Sequence, residues 1–490
     1  MKRIVIIGGG ISGLAAAHRL TELGRRDDTP LDITLFEAHD RLGGIIQTTH
    51  HDGFLLERGP DSFISEKPEA AALAQRLGIE SRLIETNPKY RRSFIVKKGR
   101  LRKVPEGFQL LAPSRLWPFI ATDIFSLAGK VRMAGDLFLP RAGTNGSDDE
   151  SLASFVTRRL GKEALDRMAQ PMVGGIYTAD PDKLSLRATL PRFLEMEREH
   201  RSIILAMFRK RPQSKSSGVS GARYSLFLSF DHGMKVLTEE LTRNILSAGV
   251  KARLNERVSS IQLEPETTKG INSWTVATTA GETVRADALC FAVPCYTAAA
   301  LIRPINNQLA QQLDQIAHAS TATINFAYRR ADIRHPLDGF GFVVPIIEKR
   351  SLIACTFSSV KFAGRAPDGY VLLRAFVGGA LQPDMFQLDE TEMVKRVKTD
   401  LNHLLGIQSE PVFVETAKWS NSMPQYEVGH LHRLASIEKE LEQFPTLALA
   451  GNSYRGAGIP DCIRSGEFAA EKLFDLVNTS PIKESGHDTR

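Results

Sequence analysis

The chain has 490 residues, 42% hydrophobic and 24% charged, with 63 Lys and Arg against 56 Asp and Glu, a formal charge of +7. That length allows two or three domains with buried cores, and the composition is that of an ordinary globular protein. A membrane span, which needs ~18 consecutive apolar residues, is excluded, because the longest candidate, residues 288–302, is cut by Pro294 and Thr297.

Cys290, Cys295, Cys355 and Cys462 have no CxxC spacing and are too few for a disulfide framework. The close histidine sets, His50-His51 and His430-x-His432, lack a third ligand, so no metal site is expected. The positive charge suits an acidic substrate or an anionic membrane surface. No nucleic-acid fold signature accompanies it, so no nucleic-acid partner is expected. The first strand begins by residue 3, so Met1-Lys2-Arg3 is not read as a secretion signal, and a cytoplasmic location is expected.

Residues 2–7 form an apolar run rich in Ile and Val, followed by Gly8-Gly9-Gly10-Ile11-Ser12-Gly13 and a helical pattern over residues 14–23. Strand, glycine turn and helix in this order make a phosphate cradle. Gly8 permits the tight turn, Gly10 lets a pyrophosphate approach the backbone, and Gly13 lets the helix lie close to the strand. The helix start presents free N–H groups and roughly half a positive charge. A second strand, residues 31–36, ends in Glu37, the position for an acid that accepts from ribose hydroxyls. These features define a dinucleotide site.

Directly after Glu37 come Ala38-His39-Asp40-Arg41-Leu42-Gly43-Gly44 and then Thr48. This pattern resembles the extended fingerprint of the FAD-containing amine oxidase superfamily. The resemblance implies that Arg41, Gly43 and Gly44 approach the pyrophosphate of FAD from its second side. FAD is therefore the expected cofactor, with NAD a minor alternative.

Leu56-Glu57-Arg58-Gly59-Pro60-Asp61-Ser62-Phe63 reads as a tight bend. It resembles the FAD-dependent protoporphyrinogen and coproporphyrinogen oxidases, in which the resemblance places Gly59, Pro60, Asp61 and Ser62 against the flavin. Residues 90–210 carry helical spacing and many basic residues. A helical subdomain with a solvated basic face is one reading, and peripheral contact with a membrane surface is the other. Within this stretch, residues 171–185 read as a glycine-broken loop in which Gly174 and Gly175 admit a flat ligand.

Residues 211–222 are expected to form a flexible loop, followed by a strand to Phe230 and a helix over residues 234–246. Val258, in a strand over residues 255–263, matches a superfamily position that packs on adenine. Strands over 274–280 and 282–294 flank a turn at Ala280-Gly281, and residues 296–413 suit a half-buried antiparallel sheet. Trp419 and the Met423-Pro424-Gln425-Tyr426 segment resemble the bacterial members, with Trp419 near the flavin. Gly451, Gly458, Ile459 and Pro460 form a glycine loop before a helix N-capped by Asp461. That helix start is expected to stabilise the negative charge of reduced flavin. The last dozen residues read as a frayed tail.

The expected fold class is α/β: a Rossmann-like FAD-binding domain (residues 1–66, 225–296 and 416–490), an α+β substrate domain (67–90, 186–224 and 297–415) and a helical subdomain (91–185). The resemblance implies an FAD-dependent oxidase that converts coproporphyrinogen III to coproporphyrin III in haem biosynthesis, with O2 as acceptor and H2O2 released. Alternatives are a protoporphyrinogen IX oxidase, a flavin amine oxidase or carotenoid desaturase, and a non-catalytic porphyrin carrier. Lys67 and Arg92 are candidates for binding propionates, and no residue is singled out as a catalytic acid or base.

Overall fold

A computed structural model describes residues 1–141, 149–209, 226–264 and 273–478. The loop expected at 211–222 and the tail expected in the last dozen residues lie outside the described residues.

Five parallel strands form the first sheet, in the order Lys251–Arg253, Leu31–Phe36, Lys2–Ile7, Ala288–Phe291 and Leu447–Leu449. The central strands are near-continuous apolar runs because both faces are covered. On one face the helix Ile11–Arg26 lies against Ile459–Asn478, with Leu14, Ala15, Ala16 and Ala17 all at most 1% exposed. The helices approach closely because Gly466 has no side chain: a Cβ there would stand 2.2 Å from the Ser12 carbonyl oxygen. The other face carries the antiparallel sheet of Val258–Glu264, Ser273–Thr278 and Thr283–Ala286. The turn expected at Ala280-Gly281 is present, with Gly281 at φ +84°.

A seven-stranded sheet follows the order Phe413–Pro424, His318–Arg329, Tyr370–Gly378, Ala354–Phe357, Gly341–Val343, Phe94–Lys97 and Arg100–Lys103. Its pairs are antiparallel except for the parallel pair Gly341–Val343 with Phe94–Lys97. Residues 94–103 were expected in the helical region. Phe94, Ile95 and Val96 are buried strand residues, and the surrounding basic residues had masked that short apolar run. The expected sheet over 296–413 is also interrupted by the helices Cys295–Ile302, Asn307–Asp314 and Glu390–Leu405. The last of these lays Met393, Val397, Leu401 and Leu405 on the sheet at helical spacing.

Helices between Leu116 and Arg209 share a separate core, which includes Phe155, Met168, Phe193 and Ile203 and so extends beyond residue 185. At its centre Arg159 and Asp136 are both fully buried, with Arg159 Nε donating to Asp136 Oδ1 over 2.6 Å. The 171–185 stretch departs from the expected loop. Gln170–Tyr177 is a helix that includes Gly174 and Gly175, closed by Thr178 at φ +49°. No helix among the described residues is long and apolar enough to cross a membrane.

Candidate functional site

The glycine turn has the geometry its spacing implies. Gly8 has φ +108°, and a Cβ on Gly13 would stand 1.9 Å from the Gly8 carbonyl oxygen. A Cβ on Gly10, by contrast, would meet nothing within 4 Å. No side chain caps the helix that begins at Ile11, so its first-turn N–H groups face the same open side as Gly10. Ser12 and Ile11 are buried behind the turn.

Glu37, just before Ala38, is also buried, and its two carboxylate oxygens accept from the N–H groups of Gly9 (2.8 Å) and His39 (2.9 Å). Backbone hydrogen bonds between Glu37 and both Arg253 and Glu256 bring the start of the Val258 strand beside this acid. Gly43 and Gly44 have φ of +103° and +58°, and the Gly43 N–H donates to the Gly9 carbonyl over 2.8 Å. The Arg41 guanidinium clasps the carbonyls of Leu42, Gly44 and Ile46. In this structure it shapes the double-glycine loop.

The second end of the site is built around residues 58–62. A Cβ on Gly59 would stand 1.8 Å from the Ile45 carbonyl oxygen, so this bend packs directly on the double-glycine loop. Trp419 Nε1 donates to the Arg58 carbonyl over 2.8 Å, and Thr323 Oγ1 donates to the same oxygen over 2.8 Å. Gly451 has φ +132° and donates its N–H to Ser465 Oγ. The helix starts at Ile459, with Pro460 in its first turn and the Cys462 N–H bonded to the Gly458 carbonyl. Asp461 is therefore a first-turn residue and not the expected N-cap, because Gly458 already closes the turn. The helix starts at Ile11 and Ile459 are neighbours through Cys462 and Ser12.

These residues fit a flavin dinucleotide. Glu37 and Val258 would hold one end, the open face at Gly10 the middle, and residues 59–62, Trp419 and Gly456–Ile459 the other. None of the four cysteines suits nucleophilic chemistry: all are buried and unpaired, and burial alone pushes Cys290 up to about 12.

Three buried cations escaped the sequence reading. Lys361 Nζ reaches Asp61 Oδ1 and Oδ2 at 3.2 and 3.1 Å and Ser62 Oγ at 3.0 Å. Arg374 donates to the Gly59 carbonyl and lies 4.0 Å from Asp61. Arg365 holds Ser229 Oγ (3.0 Å) and the carbonyls of Phe230 and Asp231. Burial would raise the Asp61 pKa, but the charges of Lys361 and Arg374 outweigh it and hold the carboxyl well below the usual range. The available signal was a charge inside an apolar strand: Arg374 interrupts Val371-Leu372-Leu373 and Ala375-Phe376-Val377.

Both basic substrate candidates are ion-paired. Lys67 pairs with Asp461 at 2.6 Å, and Arg92 pairs with Asp338 at 3.2 Å. A Cβ on Gly174 would stand 3.3 Å from Gln170 Nε2, while Gly175 is exposed, with Val343 Cγ1 at van der Waals distance, 3.7 Å.

Fold and site together define a flavin-dependent oxidoreductase. The profile of the flavin containing amine oxidoreductases matches residues 11–473, and the chain belongs to that family. It is 34% identical over 474 residues to the coproporphyrinogen III oxidase of Bacillus subtilis (strain 168), covering 96% of this chain and 97% of that protein. It is 26% identical to the mitochondrial protoporphyrinogen oxidase of Nicotiana tabacum, covering 99% and 97%. A crystal structure from Exiguobacterium sp. 255-15 is 30% identical and superposes with a TM-score of 0.83 over 96% of this chain and 98% of that one.

Proposed function

We propose that the protein is an FAD-dependent oxidase that converts coproporphyrinogen III to coproporphyrin III. Six hydrogens leave the macrocycle in three two-electron steps, and three O2 become three H2O2. Bound FAD supplies the two-electron acceptor. The parallel-sheet unit holds the dinucleotide, and the seven-stranded sheet and the helices enclose the porphyrinogen.

The observation that carries this reading is the seating of the 58–62 bend on the double-glycine loop, with Trp419 and Arg374 anchoring it from the seven-stranded sheet. The likeness to a bacterial coproporphyrinogen III oxidase along the chain selects the substrate. The protein orients the ring and excludes water, a positioning task that requires no strong acid. Propionates need cations, each charge-assisted hydrogen bond contributing about 1.5–3 kcal/mol. Arg92, at the rim of the sheet, is proposed as one of them.

Anaerobic bleaching of the flavin by coproporphyrinogen III and by protoporphyrinogen IX, each alone, tests the reading. Faster bleaching by the first supports it. Faster bleaching by the second moves the chain to protoporphyrinogen, and bleaching by neither rejects porphyrinogen oxidation.

A second observation favours peripheral membrane contact. Trp117, Leu127 and Phe138 are 80%, 79% and 82% exposed, and Lys130 Nζ ties the helix of Leu127 to that of Trp117 by donating to the Ile120 carbonyl over 2.6 Å. Large exposed apolar groups beside basic residues suit an anionic bilayer surface. Co-sedimentation with vesicles containing anionic lipid, lost in Trp117→Ser with Phe138→Ser, is the expected result; equal sedimentation of both proteins refutes it.

A further inference from the structure

Lys67 stands beside the start of the Ile459–Asn478 helix. It follows the 59–63 bend, and its Nζ lies 2.7 and 2.6 Å from Asp461 Oδ1 and Oδ2. The Asp461 side chain is only 5% exposed and that of Lys67 is 45% exposed, so the cation covers a buried anion from the solvent side.

The Asp461 carboxylate folds back over the glycine loop. A Cβ on Gly456 would stand 2.7 Å from Asp461 Oδ2, and one on Gly458 3.2 Å from it. The anion therefore sits at the start of the Ile459–Asn478 helix, at the end of the site opposite Glu37. An acid in a first turn stabilises its own helix, but it cancels the positive potential the helix start offers to any other negative charge. Reduction of a flavin brings such a charge to this end of the dinucleotide.

The remaining charges around Asp461 are few. Arg464 Nη2 reaches Asp461 Oδ1 at 2.5 Å, and Arg464 Nη1 is shared with Glu69 at 2.6 Å. The Tyr177 hydroxyl is neutral: burial, with the Asp461 charge added to it, pushes its pKa up to about 12. Lys67 and Arg464 balance Asp461 and Glu69, and removal of Lys67 leaves one net negative charge.

We propose that Lys67 is a positioning residue that neutralises Asp461 and thereby sets how readily the flavin accepts electrons. This rests on the flavin reading and not on the identity of the substrate.

The test is the flavin midpoint potential of the purified holoprotein, measured anaerobically against reference dyes without any porphyrinogen. Lys67→Gln is expected to shift the reduction equilibrium at least tenfold toward oxidised flavin, about 30 mV for a two-electron couple. Asp461→Asn is expected to shift it the opposite way, the double variant to return near the wild type, and Lys67→Arg to leave it unchanged. An unchanged potential in folded Lys67→Gln, with KM for coproporphyrinogen raised severalfold, overturns the proposal and makes Lys67 a direct propionate ligand. A wild-type protein that neither purifies with flavin nor takes it up overturns the cofactor reading, and the proposal with it.

Discussion

The Lys361 ammonium sits between Asp61 and Ser62, within 3.2 Å of both carboxylate oxygens of Asp61, and so ties the seven-stranded sheet side of the molecule to the flavin-side bend. Removing one partner of a buried ion pair leaves the other charge uncompensated, at a cost of about 3 kcal/mol. Lys361→Met is expected to lose about that much stability in urea. The Asp61 pKa is depressed on folding, so its contribution is complete above the unfolded value of ~3.9 and is lost as pH falls toward the folded one. Asp61→Asn should lower the urea midpoint at pH 7 and show a shallower decline between pH 5 and 3 than the wild type.

Gly10 and Gly13 separate binding from folding. At Gly13 an added methyl collides with the Gly8 backbone, whereas at Gly10 it projects into open space. Gly10→Ala should keep its urea midpoint within about 0.5 kcal/mol yet bind FAD at least tenfold more weakly. Gly13→Ala should lose both. Equal FAD affinity for Gly10→Ala and the wild type, by flavin fluorescence, would place the pyrophosphate elsewhere.

His430 is fully buried, stacked on Tyr426 at 4.4 Å, with Nε2 donating to the Tyr454 carbonyl over 2.7 Å and Nδ1 without a hydrogen-bond partner among the described residues. Burial lowers its pKa despite that hydrogen bond, so the neutral ring is the folded form. Stability is thus full above the unfolded value of ~6.5 and declines as pH drops through it. His430→Gln should lower stability at pH 8 but reduce the loss between pH 7 and 5. A slope identical to the wild type would assign that loss to other groups, such as His318.

Trp419 and Thr323 share one acceptor, the Arg58 carbonyl. Trp419→Phe should cost only about 1 kcal/mol in hydrogen bonding, because Thr323 still satisfies the oxygen. Adding Thr323→Val strands the carbonyl, and the double variant should exceed the sum of the single effects by at least about 0.5 kcal/mol. A double-mutant cycle on urea midpoints reads this directly, and simple additivity would mean that the two donors act independently.

The dinucleotide end of the site was legible because its chemistry is local. Gly8 to Gly13 and Glu37 sit at fixed offsets from two strands whose bounds, Lys2–Ile7 and Leu31–Phe36, match the apolar runs. The cationic anchors were not legible, since Lys361 meets Asp61 across 300 residues and Arg374 meets Gly59 across 315. Gly174 and Gly175 misled for another reason. Glycine pairs disfavour helix locally, but here the helix includes Val173, which packs in the core of the helical unit, and tertiary burial overrides propensity.

The parallel sheet takes its strands from both extremes of the chain, with Lys2–Ile7 at the centre and Leu447–Leu449 at one edge, and the helix beginning at Ile459 closes the flavin end. Assembly is thereby ordered in time. The glycine turn at residues 8–13 precedes its partner helix, which begins at Ile459, by more than 400 residues. A chain that ends before Ile459 lacks that helix and is expected to retain flavin poorly.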